Sequence, residues 1–371
     1  MRRKPSGVVN AVSDFRAEVL RGEAGTMKQL QASYQQIVQR TAGRAEALAK
    51  EINTLREAGE AVSVGRLVRL ERYQLMMAEL GADVEAYGLQ VVTPAVTALQ
   101  EENVWLAQQH AAQMERLAVG DDIALEMQRA HILSPSANIE AAVGLMGNGQ
   151  PVREYLRRSL PLATIDAVER AVADVVTGDL GPKQAARAMV REAGKASGIG
   201  LQRAMTITRT EALRVYRESQ RQRWQESEAV PAYRRTAAQA ERTCIACIAM
   251  DGAIMPIDEP LDDHVNGRCS LVPVFVIDGE VVSPWRGRSA RGWLEEQPEP
   301  TQLKVMGPGR LAAYKRGDVQ LHEMARRVDH PTFGGAWVPR TVADIEKGPA
   351  GGRAGKRVVE RTVEQVLQVA A

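Results

Sequence analysis

Arg242-Thr243-Cys244-Ile245-Ala246-Cys247, followed after a Gly/Pro-containing loop by His264-Val265-Asn266-Gly267-Arg268-Cys269, holds all three cysteines and one of the five histidines of this 371-residue chain. Two thiols separated by two residues, then an imidazole, then a third thiol, make four soft or borderline donors. That is the ligand number of a closed tetrahedral zinc site. Four protein ligands leave no position for water, so an ion held by Cys244, Cys247, His264 and Cys269 is expected to be structural Zn2+ rather than catalytic. The bland alternative is three small apolar side chains and a surface histidine. An odd number of cysteines, two of them in a CxxC, argues against a disulfide framework and for a reducing compartment.

The residues around the cluster place it in a small sheet. Tyr233–Ala237, Ala253–Pro256 and Leu271–Phe275 are three short strand candidates, with the cysteines on the turns between them. Ahead of them the pattern is helical. Ile165, Val168, Ala171, Val172, Val175 and Val176 line one helical face. Gly178–Pro182 reads as a turn, with Pro182 placed to start a helix. A short helix over Lys183–Ala193, a glycine-rich loop over Gly194–Gly200 and a long helix over Leu201–Glu226 are expected next. The last of these carries Arg209-Thr210-Glu211, read either as part of a charged helix or as a buried Arg/Glu pair tying the helix to the cysteine-bearing sheet.

Toward the N-terminus, Leu30, Tyr34, Ile37, Thr41, Ala45, Leu48, Ile52 and Leu55 recur at spacings of three and four, which predicts one long helix over Ser13–Arg56. Gly22 and Gly25 predict a break in it. Ser63 is a candidate N-cap for a second helix from Val64 toward Gly81, and a third is expected over Pro94–Leu117. The fold class is therefore mainly α with a small α+β module. An elongated N-terminal helical hairpin or bundle (1–130) leads through a linker (131–160) to central helices packed on a short-stranded, zinc-stapled sheet (161–276). A C-terminal extension (277–347), helical in short pieces with loops at Gly307–Gly309 and Gly334–Gly335, precedes a Gly-rich tether and a terminal amphipathic helix (348–371).

Composition narrows the function. A net charge of +2 excludes a polycation that coats nucleic acid. No apolar run long enough for a signal peptide or a membrane span occurs, so a soluble protein without a membrane partner is expected. There is no GxxxxGK[ST], GxGxxG after a strand, HExxH or GxSxG, and no enzyme is expected. Two basic clusters are candidates for contact with DNA: Arg286, Arg288 and Arg291 with Trp285 and Trp293, and Arg214, Arg217, Arg221 and Arg223 with Trp224.

The stretch from Ile165 to Val274 resembles the phage head-morphogenesis family, the minor head proteins similar to the Mu F protein. The resemblance rests on Thr208-Arg209-Thr210-Glu211, then Glu241-Arg242-Thr243-Cys244-Ile245-Ala246-Cys247, Asp251-Gly252, Asp263-His264-Val265-Asn266-Gly267-Arg268-Cys269 and Val272-Pro273, in that order. Trp293-Leu294, Gln297-Pro298, Gln302, Gly307-Pro308-Gly309-Arg310, Tyr314 and Gly317 look like an extension that often follows this domain. Val265 stands where the family pattern has proline, and Gly267 where it has a cysteine. The resemblance implies a minor head protein of a tailed phage, present in few copies in the virion, inside the head near the portal. Its implied partners are the portal protein and the major capsid or scaffolding protein; separately, the apolar seam of the N-terminal helices leaves self-association open. The alternative is a virion protein that contacts genomic DNA during packaging or ejection. A fused toxin or transferase, or a maturation protease, ranks lower.

Overall fold

The computed structural model describes residues 7–125 and 142–347, apart from Asp179 and Asp278. The linker expectation at 131–141 and the tether and terminal helix expected over 348–371 lie outside the described residues. Before the first strand the chain forms α1 (Gly7–Glu57), α2 (Val64–Leu67), α3 (Glu71–Tyr87), α4 (Thr93–Val119), α5 (Val152–Thr177) and α6 (Pro182–Gln225). Two compact units result, neither continuous in sequence. One comprises Gly22–Leu99 and Gln150–Arg209; the other comprises Met1–Arg21, Gln100–Gly149 and Thr210–Ala371.

The elements of the first unit are all helices, joined by short turns. α1 runs unbroken through Gly22 and Gly25, against the expected break. A helical glycine costs about 1 kcal/mol. The stripe of Leu30, Tyr34, Ile37, Thr41, Ala45, Leu48 and Ile52 is wholly buried and outweighs it. Ser63 caps α2 as expected, its hydroxyl accepting from the Arg66 N–H. The helix expected from Val64 to Gly81 is instead two, α2 and α3. α3 then continues through a π turn at Gly88–Val92 into α4 rather than stopping. Pro94 offers no N–H to a regular turn, and the wider π turn before it absorbs that defect. Residues 152–160, read as linker, are the first turns of α5.

Glycines in this unit mark close approaches instead of breaks. A Cβ on Gly81 or Gly88 would come within 3.2 Å of Ile165 or Leu160, where α3 packs on α5. α6 is likewise continuous across Gly194–Gly200, where a loop was expected. Gly200 lies flush against the Tyr34 hydroxyl and Thr164 Oγ1, and the Tyr34 hydroxyl donates to the Ser197 carbonyl at 2.6 Å. Gly200→Ala is therefore expected to destabilise the protein by about 1–3 kcal/mol through overpacking. Gly198→Ala, whose Cβ meets nothing within 4 Å, is expected to be neutral or stabilising by up to about 1 kcal/mol. Thermal melts of the two variants check the contrast.

The second unit holds the sheet. β1 (Ala232–Thr236) pairs antiparallel with β2 (Ile254–Pro256) and β3 (Ser270–Ile277), and β3 pairs with β4 (Glu280–Val282). The spatial order is β2-β1-β3-β4. The three expected strands are present; β4 is an addition. A one-and-a-half-turn helix, α7 (Ile245–Ala249), joins β1 to β2 and is buried along its length. Val8, Val12 and Phe15 of α1 share one core with Trp224, Tyr233, Met250, Leu271, Phe275, Trp293 and Trp337.

The C-terminal extension is helical through α8 (Ala290–Glu295), α9 (Glu299–Met306) and α10 (Pro308–Arg316). It then departs from the expectation of helices only. A hairpin, β5 (Ala325–His330) and β6 (Gly334–Pro339), precedes α11 (Val342–Glu346), so Gly334–Gly335 open a strand. Long-range contacts hold it: the Trp337 N–H donates to the Asp262 carbonyl at 3.1 Å, and the Arg327 Nε donates to the Asp262 carboxylate at 2.6 Å.

Candidate metal centre

Local structure brings the cysteines and the histidine together. Cys244 is the N-cap of α7, its sulfur accepting from the Cys247 N–H at 3.4 Å, so one helical turn sets both thiols on one side. His264 and Cys269 flank a tight turn closed by the Gly267 N–H donating to the His264 carbonyl at 2.7 Å. Asn266 takes a left-handed φ of 60° in that turn. The turn is held from α6 by Thr210, whose hydroxyl accepts from the Asn266 N–H at 3.2 Å.

His264 Nε2 lies 2.9 Å from Cys244 Sγ and 3.1 Å from Cys247 Sγ. Its Nδ1 meets the Val265 carbonyl at 2.7 Å, which fixes the ring and leaves Nε2 toward the sulfurs. Two trios of donors each lie within 4.8 Å of one another and could hold a metal ion: Cys244, Cys247 and His264, and Cys247, Asp263 and Cys269. Cys247 belongs to both. The four residues singled out from sequence thus converge, with Cys269 joined through Cys247 rather than closing on all the others.

Charge in the cluster follows from burial and contacts. The S–H of Cys247 is shared toward Cys244 and Cys269 and stays well above the ordinary thiol range. Cys244 is pushed down to about 4 by that S–H and then by His264. Cys269 is lowered by the same S–H, against burial and with help from the Arg235 guanidinium. Burial disfavours an imidazolium at His264, but the sulfur of Cys244 and the Asp263 carboxylate outweigh it and raise the group to about 9. Burial would likewise raise Asp263, and Arg235 and Arg217 instead hold it down to about 2. A cation bound here would be ligated by the sulfurs and the neutral imidazole and would displace the protons they carry.

The donor set fits a small thiophilic cation. In a tetrahedral zinc site a sulfur and a nitrogen ligand stand about 3.6 Å apart. The S···N separations here are 2.9 and 3.1 Å. These two edges would open by about half an ångström on binding, and Cys269, which does not close on Cys244 and His264, would have to move inward to complete the set. A thiolate beside an imidazolium is also the pairing of a cysteine nucleophile. The cavity against it, however, is about 20 Å³, room for about one water and not for a substrate.

Sequence reasoning assigned Asp263 no role of its own in the site. It is completely buried, pairing with Arg235 at 2.9 Å and Arg217 at 3.2 Å. The alternation of β1 was an available signal, since it puts Arg235 on the same face as the buried Tyr233. The Arg-Thr-Glu triplet acts differently from the expected Arg/Glu tie. Arg209 pairs with Glu23 within the helical unit. Glu211 accepts from the Gly147 N–H and pairs with Arg214. Only Thr210 of the three reaches the cysteine loop in the contacts above. Asp251, beside Gly252, is half-buried and accepts from the backbone N–H groups of Ala237 at 2.7 Å and Ala290 at 2.8 Å, tying the end of β1 to the start of α8.

The first basic cluster is largely internal, whereas the arginines of the second are exposed. Arg214, Arg217, Arg221 and Arg223 pair with Glu211, Asp263, Glu218 and Glu115, and Trp224 is fully buried. Arg288 and Arg291 pair with Glu296 and Glu295, and Trp293 is buried. His110 is packed and partnered, stacked on Phe15 and bonded to Tyr216 at 2.8 Å. No helix among the described residues is long and apolar enough to cross a membrane.

No curated protein and no solved structure matches the chain. A family model does: residues 166–272 match the model described as Phage Mu protein F like protein. The matched segment covers less than a third of the chain, yet it contains Arg209-Thr210-Glu211, β1, α7, β2, Asp263 and every cysteine. Through this segment the chain is similar to the Mu F-like proteins of phage head morphogenesis.

Proposed function

We propose that this chain is a structural protein of phage head morphogenesis, carried in the virion as a minor head protein at the portal vertex. The observation that carries the reading is that the whole cysteine–histidine cluster falls inside the Mu F-like segment. Zn2+ held by Cys244, Cys247, His264 and Cys269 staples α7 to the loop before β3. It thereby fixes the face that the module offers to other head components. The role is non-catalytic: the Cys244–His264 pair lacks a cavity for substrate. The portal protein is the proposed partner, with the major capsid or scaffolding protein second.

Purified chain mixed with portal rings and, separately, with procapsids lacking it is expected to sediment with the portal ring. Migration with neither overturns the assignment. Tight binding to duplex DNA that weakens steeply between low and moderate salt would instead favour the DNA-contacting alternative. The buried pairing of Arg217, Arg221 and Arg223 argues against that outcome for the first arginine cluster.

A further inference from the structure

We infer that Asp263 is the positioning residue of the metal centre, a buried carboxylate that sets the spacing of His264 and Cys269 without itself binding the ion. This rests on the zinc reading above. The carboxylate is engaged on every side. Its Oδ1 accepts from the Arg235 guanidinium at 2.9 Å and from the His264 N–H at 3.1 Å. Its Oδ2 accepts from the Arg217 guanidinium at 3.2 Å and from the Cys269 N–H at 3.1 Å. A carboxylate offers about four lone-pair sites. These four bonds fill them, before the Cys247 thiol at 3.6 Å is considered. Although Asp263 lies within ligand distance of Cys247 and Cys269, it has no lone pair left for a cation. Its two guanidinium partners also already balance its charge.

What the carboxylate does hold is backbone. One oxygen grips the N–H of the histidine and the other the N–H of the third cysteine, so a single side chain brackets the turn from both ends. Arg217 adds a bond from its guanidinium to the Gly267 carbonyl at 3.1 Å, locking the same turn from α6. The turn is shaped around this group: the three atoms nearest to a Cβ on Gly267 would all belong to the Asp263 carboxylate, at 2.1–2.4 Å. Gly267 is not among the glycines with positive φ, so the backbone itself would accept alanine. The absence of a side chain at position 267 and the carboxylate at position 263 are two halves of one arrangement.

The test measures zinc affinity by competition with a chromophoric chelator in the full chain, with Co2+ absorption reporting the ligand set. Asp263→Asn is expected to bind zinc 10–100-fold more weakly, the usual cost of losing an outer partner of a ligand. Its Co2+ spectrum is expected to stay that of the wild type, with thiolate charge-transfer bands unchanged. Gly267→Ala, which keeps both charges and only displaces the carboxylate, is expected to weaken zinc in the same direction. It decides the matter should Asp263→Asn fail to fold. Asp262→Asn, next in sequence but paired with Arg327, is expected to bind as wild type. Wild-type chain that takes up no zinc overturns the metal reading itself. Zinc binding by wild type with unchanged affinity in Asp263→Asn or Gly267→Ala overturns the positioning role alone. A Co2+ spectrum altered by Asp263→Asn makes Asp263 a ligand and also overturns it.

Discussion

Cys247→Ser is expected to abolish stoichiometric zinc binding and to remove the whole of the zinc-dependent stability of the protein. Cys247 is the one residue common to both donor trios, so its loss breaks each of them. Serine is nearly the same size, and the contact toward Asp263 that it gives up is the long one the thiol makes at 3.6 Å. Without metal the substitution should therefore cost about 1 kcal/mol, the scale of one altered buried hydrogen bond. With metal the difference is larger. A ligand that binds only the folded state stabilises it by about 2.7 kcal/mol when its free concentration is about a hundred times Kd. The module also has an apolar core of its own, including Ile245, Ala246, Ile248, Leu271 and Phe275, so chelation should lower the melting temperature rather than unfold the chain outright. The expected pattern is a wild-type melt that rises with zinc and falls with chelator, and a Cys247→Ser melt that responds to neither. A variant that kept the zinc-linked rise would remove Cys247 from the ligand set.

The cysteine spacing made the clustering of these side chains legible because CxxC with a later histidine and cysteine is a local pattern, and local patterns survive folding. The three strands beside it were legible for the same reason. Asp263 was not, because its burial depends on Arg235 and Arg217, which come from β1 and α6. Nothing adjacent to Asp262-Asp263 distinguishes a solvated pair from a half-buried one. The glycine readings failed in a related way. Gly22, Gly25 and Gly194–Gly200 carry a real helix penalty of about 1 kcal/mol each. Buried stripes on α1 and close packing at Gly200 override it, and both are tertiary. The β5–β6 hairpin escaped because Ala325–His330 is mostly exposed, with arginines where alternation would need apolar residues. Its place is set by Trp337 in the core and by Asp262, contacts that no window of sequence contains.

Arg235→Met is expected to destabilise the protein by about 3–5 kcal/mol, the cost of removing one partner from a buried ion pair. The Arg235 side chain is 1% exposed and that of Asp263 0%. Its guanidinium serves three acceptors: the Leu261 carbonyl at 2.7 Å, the Asp263 carboxylate at 2.9 Å and Cys269 Sγ at 3.4 Å. Methionine fills much of the volume but leaves that carbonyl without a donor and Asp263 with Arg217 as its remaining guanidinium. Arg235→Lys keeps the charge but not the planar fork, and one ammonium cannot face three acceptors in the same directions. It should fall between wild type and Arg235→Met. The double variant Arg235→Met with Asp263→Asn separates charge from packing. Removing both members of the pair relieves the uncompensated carboxylate, so the double variant should lose less than the sum of the singles, by about 0.5–3 kcal/mol. Chemical denaturation in the presence of chelator measures this without the metal, since both residues border the ligands. Strict additivity would mean that Arg235 and Asp263 act independently. The cluster would then be held by the helical turn of α7 and the β1–β3 pairing, with the buried charges contributing only local packing.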